Sequence, residues 1–323
     1  MRLPEELLAA IQREVESVDG KTLARASAEL TRRYRAAEFS SPPIQTPEHR
    51  AAYLTARLPA TYAANWRVFS EVLERAPQAQ IASVLDLAAG PGTALFAAVE
   101  LFPTLRQATL AESDTAWLDL GRRLAAGCSH RVLHEAEWRR CDLRTPFACA
   151  PHDLAVISYA LGELAPEIAD AVLDRGWRLA KQFLVVIEPG TVRGFAAVHR
   201  ARSLLIAQNA NILAPCPHHD ACPMAGTRDW CHFAQRLERT TAHRQAKTAA
   251  LAYEDEKFSY LVASRDAFPP AASRIVRHPR KHSGHVQLTL CAHEGIETRT
   301  VSRSQGPAYK LARQSEWGDA WPE

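Results

Sequence analysis

Between residues 81 and 213, short apolar runs alternate with helical stretches, and no other feature limits the possible folds so strongly. The runs are IASVLDLAAG (81–90), QATLAES (107–113), a segment within RVLHEAEWRRCDL (131–143), DLAVISYALGEL (153–164) and KQFLVVIEPG (181–190). Between and after them, TALFAAVELF, DTAWLDLGRRLAAG, PEIADAVLDRGWRLA and the stretch 191–213 carry helical spacing. A strand that is apolar on both faces must be covered on both, and helical crossovers between parallel strands do this. The pattern predicts an α/β domain over 77–213, built as a doubly wound, Rossmann-like sheet.

The flanks read differently. Residues 1–76 form an N-terminal helical region. It holds PEELLAAIQREVESV, KTLARASAELTRRYRAAE, the proline-rich connector SSPPIQTP at 40–47, and a helical stretch over 48–76 interrupted at Pro59. Residues 214–323 form a smaller cysteine and β subdomain. A cysteine-rich segment opens it, and a helical stretch over roughly 228–252 follows. The β-like runs FSYLVAS, SRIVRH, HVQLTLC and ETRTVSRS end it, the last two joined through AHEG as a hairpin.

Hydrophobic residues make up 47% of the chain and charged residues 23%, as in ordinary globular proteins. No apolar run reaches the length of a membrane span, so no membrane partner is expected. The opening MRLPEELLAAIQREVE carries acidic residues and no long apolar core. It reads as neither a secretory signal nor a transit peptide, and a reducing cytoplasm is the expected compartment. Clustered cysteines there point to metal or catalysis rather than disulfides. Net charge is +3, but residues 190–323 hold 18 basic against 12 acidic side chains, and 265–313 hold 9 against 3 plus four histidines. Neutralising phosphates is the sequence-independent part of nucleic-acid binding, so this tail admits such a partner beside the plainer reading of a solvated face.

VLDLAAGPGTA (84–94) lies at the first strand-to-helix turn. Gly90 and Gly92 let backbone approach a ligand where a side chain would block it. Asp86 ends the strand before the turn, Glu112 ends the next strand where a carboxylate can accept from ribose hydroxyls, and Asp142 follows the third. This region resembles the class I S-adenosylmethionine-dependent methyltransferases, with Ala88 in place of the first glycine of their motif. The resemblance implies that Asp86, Ala88, Gly90 and Gly92 line a cofactor turn, that Glu112 holds the ribose and that Asp142 contacts the adenine. The catalytic end is bare. SYALGEL (158–164) departs from the Asn/Asp-Pro-Pro-aromatic signature of amino-group methyltransferases. Glu163 reads as solvated or helix-capping rather than as a base, and no catalytic residue is assigned.

CPHHDACPMAGTRDWCHF (216–233) spaces Cys216, Cys222 and Cys231 as C-x5-C-x8-C, and Cys291 closes HVQLTLC further on. Four thiolates suit zinc or an iron–sulfur cluster, and the spacing matches no standard zinc finger. A mixed zinc site using His218, His219 or His232 stays open. Cys128, Cys141 and Cys149 lack ligand-like spacing and read as buried small hydrophobes. The wide spacing and the fourth cysteine disfavour a radical S-adenosylmethionine enzyme, whose three cysteines are close-set.

The two ends together resemble one family, the methyltransferase-like assembly factors of the small ribosomal subunit. These are known in mitochondria as Rsm twenty-two and methyltransferase-like protein seventeen, and bacteria have members, of which this chain is expected to be one. The stretches carrying the resemblance are RLPATYAANWRVFSEV (57–72), VLDLAAGPGTA, YALGEL, VVIEPGTVRGF, CPHHDACP…WCHFAQR, FSYLVAS, LTLCAHEG and AYKLARQSEWGD (308–319). It implies a four-iron, four-sulfur cluster on Cys216, Cys222, Cys231 and Cys291. It also implies bound S-adenosylmethionine, small-subunit ribosomal RNA and ribosomal proteins as partners, and doubtful methyl transfer. An active ribosomal RNA methyltransferase with a structural zinc or iron–sulfur site is the alternative, and a monomer is expected off the ribosome. Arg274, Arg277, Arg280, Lys281, Arg299, Arg303, Lys310 and Arg313 are then expected to face RNA phosphates, and loss of the metal to unfold their subdomain.

Overall fold

All five runs become strands: four are largely buried, as apolar strands covered on both faces should be, whereas the third, EWRR, is an exposed or half-buried strand beside the second. In chain order the elements of the computed structural model are α1 Glu5–Val15, α2 Gly20–Ala36, α3 Pro47–Ala56, α4 Leu58–Arg75, β1 Ser83–Leu87, α5 Thr93–Leu101, β2 Gln107–Glu112, α6 Thr115–Ala126, α7 Arg131–Glu135 and β3 Glu137–Arg140. There follow β4 His152–Ser158, α8 Pro166–Leu179, β5 Ala180–Pro189, α9 Val192–Ala207, β6 Asn211–Ala214, β7 Phe233–Glu238, α10 Thr241–Ala246 and β8 Tyr253–Ser264. The last are β9 Ser273–Ile275, β10 Arg280–Lys281, β11 His285–Ala292, β12 Gly295–Ser302, α11 Pro307–Gln314 and β13 Ala320–Trp321. The structure describes residues 1–36, 44, 46–247 and 250–322. Most of the connector at 40–47 lies outside them.

The chain divides into two compact units, each discontinuous in sequence. The first comprises Met1–Phe69, Gln80–Cys149 and Gln235–Glu256. Its strands lie in the order β3-β2-β1, all parallel, with Asp86 level with Leu110 and Glu112 level with Arg140. Helix starts are locally encoded. Thr46 caps α3, accepting from His49 N–H at 3.2 Å with Pro47 behind it, and Asp114 caps α6 through Ala116 N–H at 2.8 Å.

The second unit comprises Ser70–Ala79, Ala150–Ala234 and Lys257–Glu323. Here β4 and β5 are parallel, β8 runs antiparallel to β5, and β6 antiparallel to β8. The architecture is α/β and Rossmann-like, as expected, but the sheet is mixed rather than wholly parallel. A separate five-stranded sheet has the order β10-β11-β9-β13, with β12 on β11. It closes on its own apolar core of Ile275, Val286, Leu288, Leu290, Val301, Ala312 and Trp321.

Two expectations are corrected. The helix read over 191–213 ends at Ala207, where Asn209 takes a left-handed conformation (φ 61°) and β6 follows. Residues 228–252 are not one helix but β7 and the short α10. Phe233 and Leu237 are buried four residues apart, a spacing that fits a helical stripe and a strand face equally. No helix among the described residues is long and apolar enough to cross a membrane.

Candidate functional site

The turn after β1 is built on three left-handed residues: Ala88 (φ 61°), Gly90 (φ 54°) and Gly92 (φ 79°). Ala88 stands where the resemblance expects glycine, and its conformation costs about 1–2 kcal/mol for a residue with a Cβ. Gly92 is fixed by packing as well, since a Cβ there would lie 2.7 Å from the Trp138 ring and 2.9 Å from Leu110. A Cβ on Gly90 would meet nothing within 4 Å, so this glycine faces open space. Glu112 ties the turn to the end of β2. One carboxylate oxygen accepts Gly90 N–H at 2.9 Å, and the other accepts Ser113 N–H at 2.7 Å and Asp114 N–H at 2.9 Å. Asp86 is 2% exposed, and its Oδ2 has no hydrogen-bond partner among the described residues. Burial, then the Glu112 charge, pushes its pKa up to about 7.

Asp142 follows β3, one strand over, and Cys141 N–H bonds the Glu112 carbonyl at 2.8 Å. All six expected cofactor residues therefore gather at the carboxyl ends of β1, β2 and β3, where open α/β sheets bind ligands. The Asp142 carboxylate is already engaged. Arg144 grips it at 2.7–3.1 Å, and that pairing lowers its pKa.

In the second unit, SYALGEL forms a tight turn held by a residue the sequence reading did not single out. Glu188, at the end of β5 and 2% exposed, accepts N–H groups of Ala160, Leu161 and Gly162 at 3.1, 2.8 and 3.3 Å. Burial outweighs these bonds and raises its pKa to about 7. Its signal was a lone glutamate in an otherwise apolar run, VVIEPG.

Cys216, Cys222, Cys231 and Cys291 line one cavity of the second unit. Cys216 follows β6 after a cis Ala214–Pro215 bond, Cys231 precedes β7, and Cys291 lies on β11 opposite Ile296. Burial first, and then the neighbouring cysteines, raises the pKa of Cys231 well above its ordinary value, and burial with the same neighbours pushes that of Cys291 up to about 12. Two buried arginines pin the loop. Arg274 Nε donates to Pro215 O at 3.1 Å, and Arg202 Nη2 donates to the carbonyls of His218 and Asp220 at 2.9 and 2.8 Å. Each keeps a buried N–H with no hydrogen-bond partner among the described residues: Arg202 Nε and Arg274 Nη2.

The histidines separate. His219 Nε2 accepts Ile212 N–H at 2.9 Å, and His232 Nδ1 lies 3.1 Å from Trp230 O. His218 lines the cavity with both ring nitrogens unpartnered among the described residues. Around one zinc, thiolates at about 2.3 Å from the metal would stand roughly 3.8 Å apart. Among the described residues, no three Cys, His, Asp or Glu side chains form a group that could hold a metal ion. All four thiols line the same cavity.

The expected basic face is corrected at two positions. Arg274 is 1% exposed and paired with Glu71 at 2.8 Å, so it faces no phosphate. Arg277 is half-buried and gives its guanidinium to Asp229. Arg299 pairs with Glu297 at 2.7 Å. Arg280, Lys281, Arg303 and Arg313 gather around the β10–β11 turn. Arg280 and Lys281 are exposed on β10, Arg303 donates to Ser283 O at 3.0 Å, and Arg313 to His282 O at 3.4 Å. The His282 and His285 rings stack at 4.5 Å beside them.

Comparison with known proteins follows the same lines. Human "Ribosome assembly protein METTL17, mitochondrial" is 29% identical over 294 residues, 84% of this chain and 62% of that protein. "Rsm22-cox11 tandem protein 2, mitochondrial" of Schizosaccharomyces pombe (strain 972 / ATCC 24843) is 26% identical over 331 residues, 84% of this chain and 43% of that protein. The chain thus spans less than two thirds of either relative's length. Among solved structures, magnesium protoporphyrin IX methyltransferase from Synechocystis PCC 6803 with bound SAH aligns with a TM-score of 0.43 and 13% identity, over 77% of this chain and 100% of that one. Residues 47–322 match the family described as "Mitochondrial small ribosomal subunit Rsm22", and the chain belongs to that Rsm22 family.

Proposed function

We propose that this chain is an assembly factor of the small ribosomal subunit. In this reading Cys216, Cys222, Cys231 and Cys291 hold a four-iron, four-sulfur cluster, the turn after β1 takes S-adenosylmethionine, and the basic turn of the second sheet meets ribosomal RNA. The presence of all four cysteines on one cavity carries the reading. In a cluster each thiolate binds its own iron, so the sulfurs stand further apart than around one ion. That suits thiols spread over the walls of a cavity and disfavours a single zinc. The two orphaned guanidinium N–H groups suit a sulfur-rich, anionic occupant. When bound, the cluster supplies four iron–thiolate bonds that join the 216–231 loop to β11. At the other end, Asp86, Glu112 and the open face of Gly90 suit a cofactor whose ribose and amino acid approach backbone. No catalytic residue is assigned.

Anaerobic purification followed by iron and sulfide analysis tests this. About four iron and four sulfide per chain, lost in Cys231→Ser, is the expected result. A colourless protein with one zinc per chain refutes the cluster and restores the mixed zinc site at His218.

A further inference from the structure

Arg202 lies on the stripe of α9 that also buries Val198, Ala201 and Leu205, and it is itself 5% exposed. A buried ion costs several kcal/mol unless a partner compensates it. Among the described residues Arg202 has no carboxylate partner. Its Nη2 donates to two backbone carbonyls, its guanidinium also contacts the Cys216 side chain, and its Nε–H has no hydrogen-bond partner among the described residues. It lines the cysteine cavity, whose other arginine, Arg274, is matched by Glu71. Among the described residues, no carboxylate lines that cavity. Of the two arginines on the described wall, Arg202 is the one without a carboxylate partner.

We propose that Arg202 is the built-in countercharge of the metal centre: its Nε–H donates to a ligand or cluster sulfur, and its charge offsets the net negative charge that four thiolates give the cluster. This rests on the cluster reading above. Hydrogen bonds to sulfur and positive charge nearby both favour the reduced, more negative cluster. Removing them lowers its midpoint potential. Lysine keeps the charge, whereas glutamine keeps an N–H donor without it.

The test compares the anaerobically purified wild type, Arg202→Lys and Arg202→Gln. Iron and sulfide content, midpoint potential by dithionite titration of the visible absorbance, and far-ultraviolet circular dichroism are measured on each. Arg202→Lys is expected to retain the cluster near the wild-type potential. Arg202→Gln is expected to titrate at a more negative potential, or to fold without iron. Equal behaviour of the two variants overturns the countercharge, whether both match the wild type or both lose the cluster or the fold, because the charge then makes no difference. A wild type without iron instead defeats the cluster reading itself.

Discussion

Asp86 and Glu188 are buried carboxylates with opposite surroundings. Glu188 satisfies three backbone N–H groups, while Asp86 keeps an oxygen with no hydrogen-bond partner among the described residues. Asp86 has an ordinary pKa of 3.8 and a folded value of about 7, so the folded state binds its proton more tightly than the unfolded chain. The stability from this group is complete below about pH 4 and is lost as pH rises to about 7, on the order of 4 kcal/mol at most. Asparagine does not titrate. Urea unfolding of Asp86→Asn between pH 4.5 and 7.5 should therefore show the variant gaining on the wild type by a few kcal/mol as pH rises. Parallel pH curves for the two proteins contradict it. That Asp86 ends a strand was legible in VLDL; that one oxygen lacks a partner was not, because it depends on groups brought near by folding.

Elements were legible where periodicity was unambiguous. The runs at 81–90 and 181–190 could be only strands between glycine or proline breaks, and AHEG indeed joins β11 to β12, with Cys291 opposite Ile296. Arg274 shows the limit. It sits in a short basic segment and looks superficial, but its partner Glu71 lies 203 residues earlier, a pairing no local pattern reveals. Arg202 was missed for the same reason, although a cation on an apolar helix stripe is itself a signal. The expectation that losing the metal unfolds the basic subdomain has a rival in the packing of that subdomain. The second sheet has its own core, including Val286, Leu288 and Leu290, and we expect this burial to hold it without a metal. Limited proteolysis of Cys231→Ser should cut within 216–231 and spare 285–302. Cuts spread across β11 and β12 mean that the sheet depends on the site after all.

At the scale of the whole molecule the net charge of +3 hides the uneven distribution that concentrates exposed cations at the β10–β11 turn. Phosphate contacts set the salt dependence of nucleic-acid binding, each adding about one unit to the log–log slope. The double variant Arg280→Glu, Lys281→Glu should bind small-subunit RNA more weakly and flatten that slope by about 2. Unchanged affinity and slope refute this turn as an RNA-binding surface. The four cysteines carry a consequence for how the protein is made. Cys216, Cys222 and Cys231 leave the ribosome together, whereas Cys291 emerges sixty residues later, on a strand that pairs with β9 before it and β12 after it. If the proposed cluster forms, a chain stalled before that strand offers three thiols and lacks the fourth, so closure of the site must wait for residue 291 to emerge.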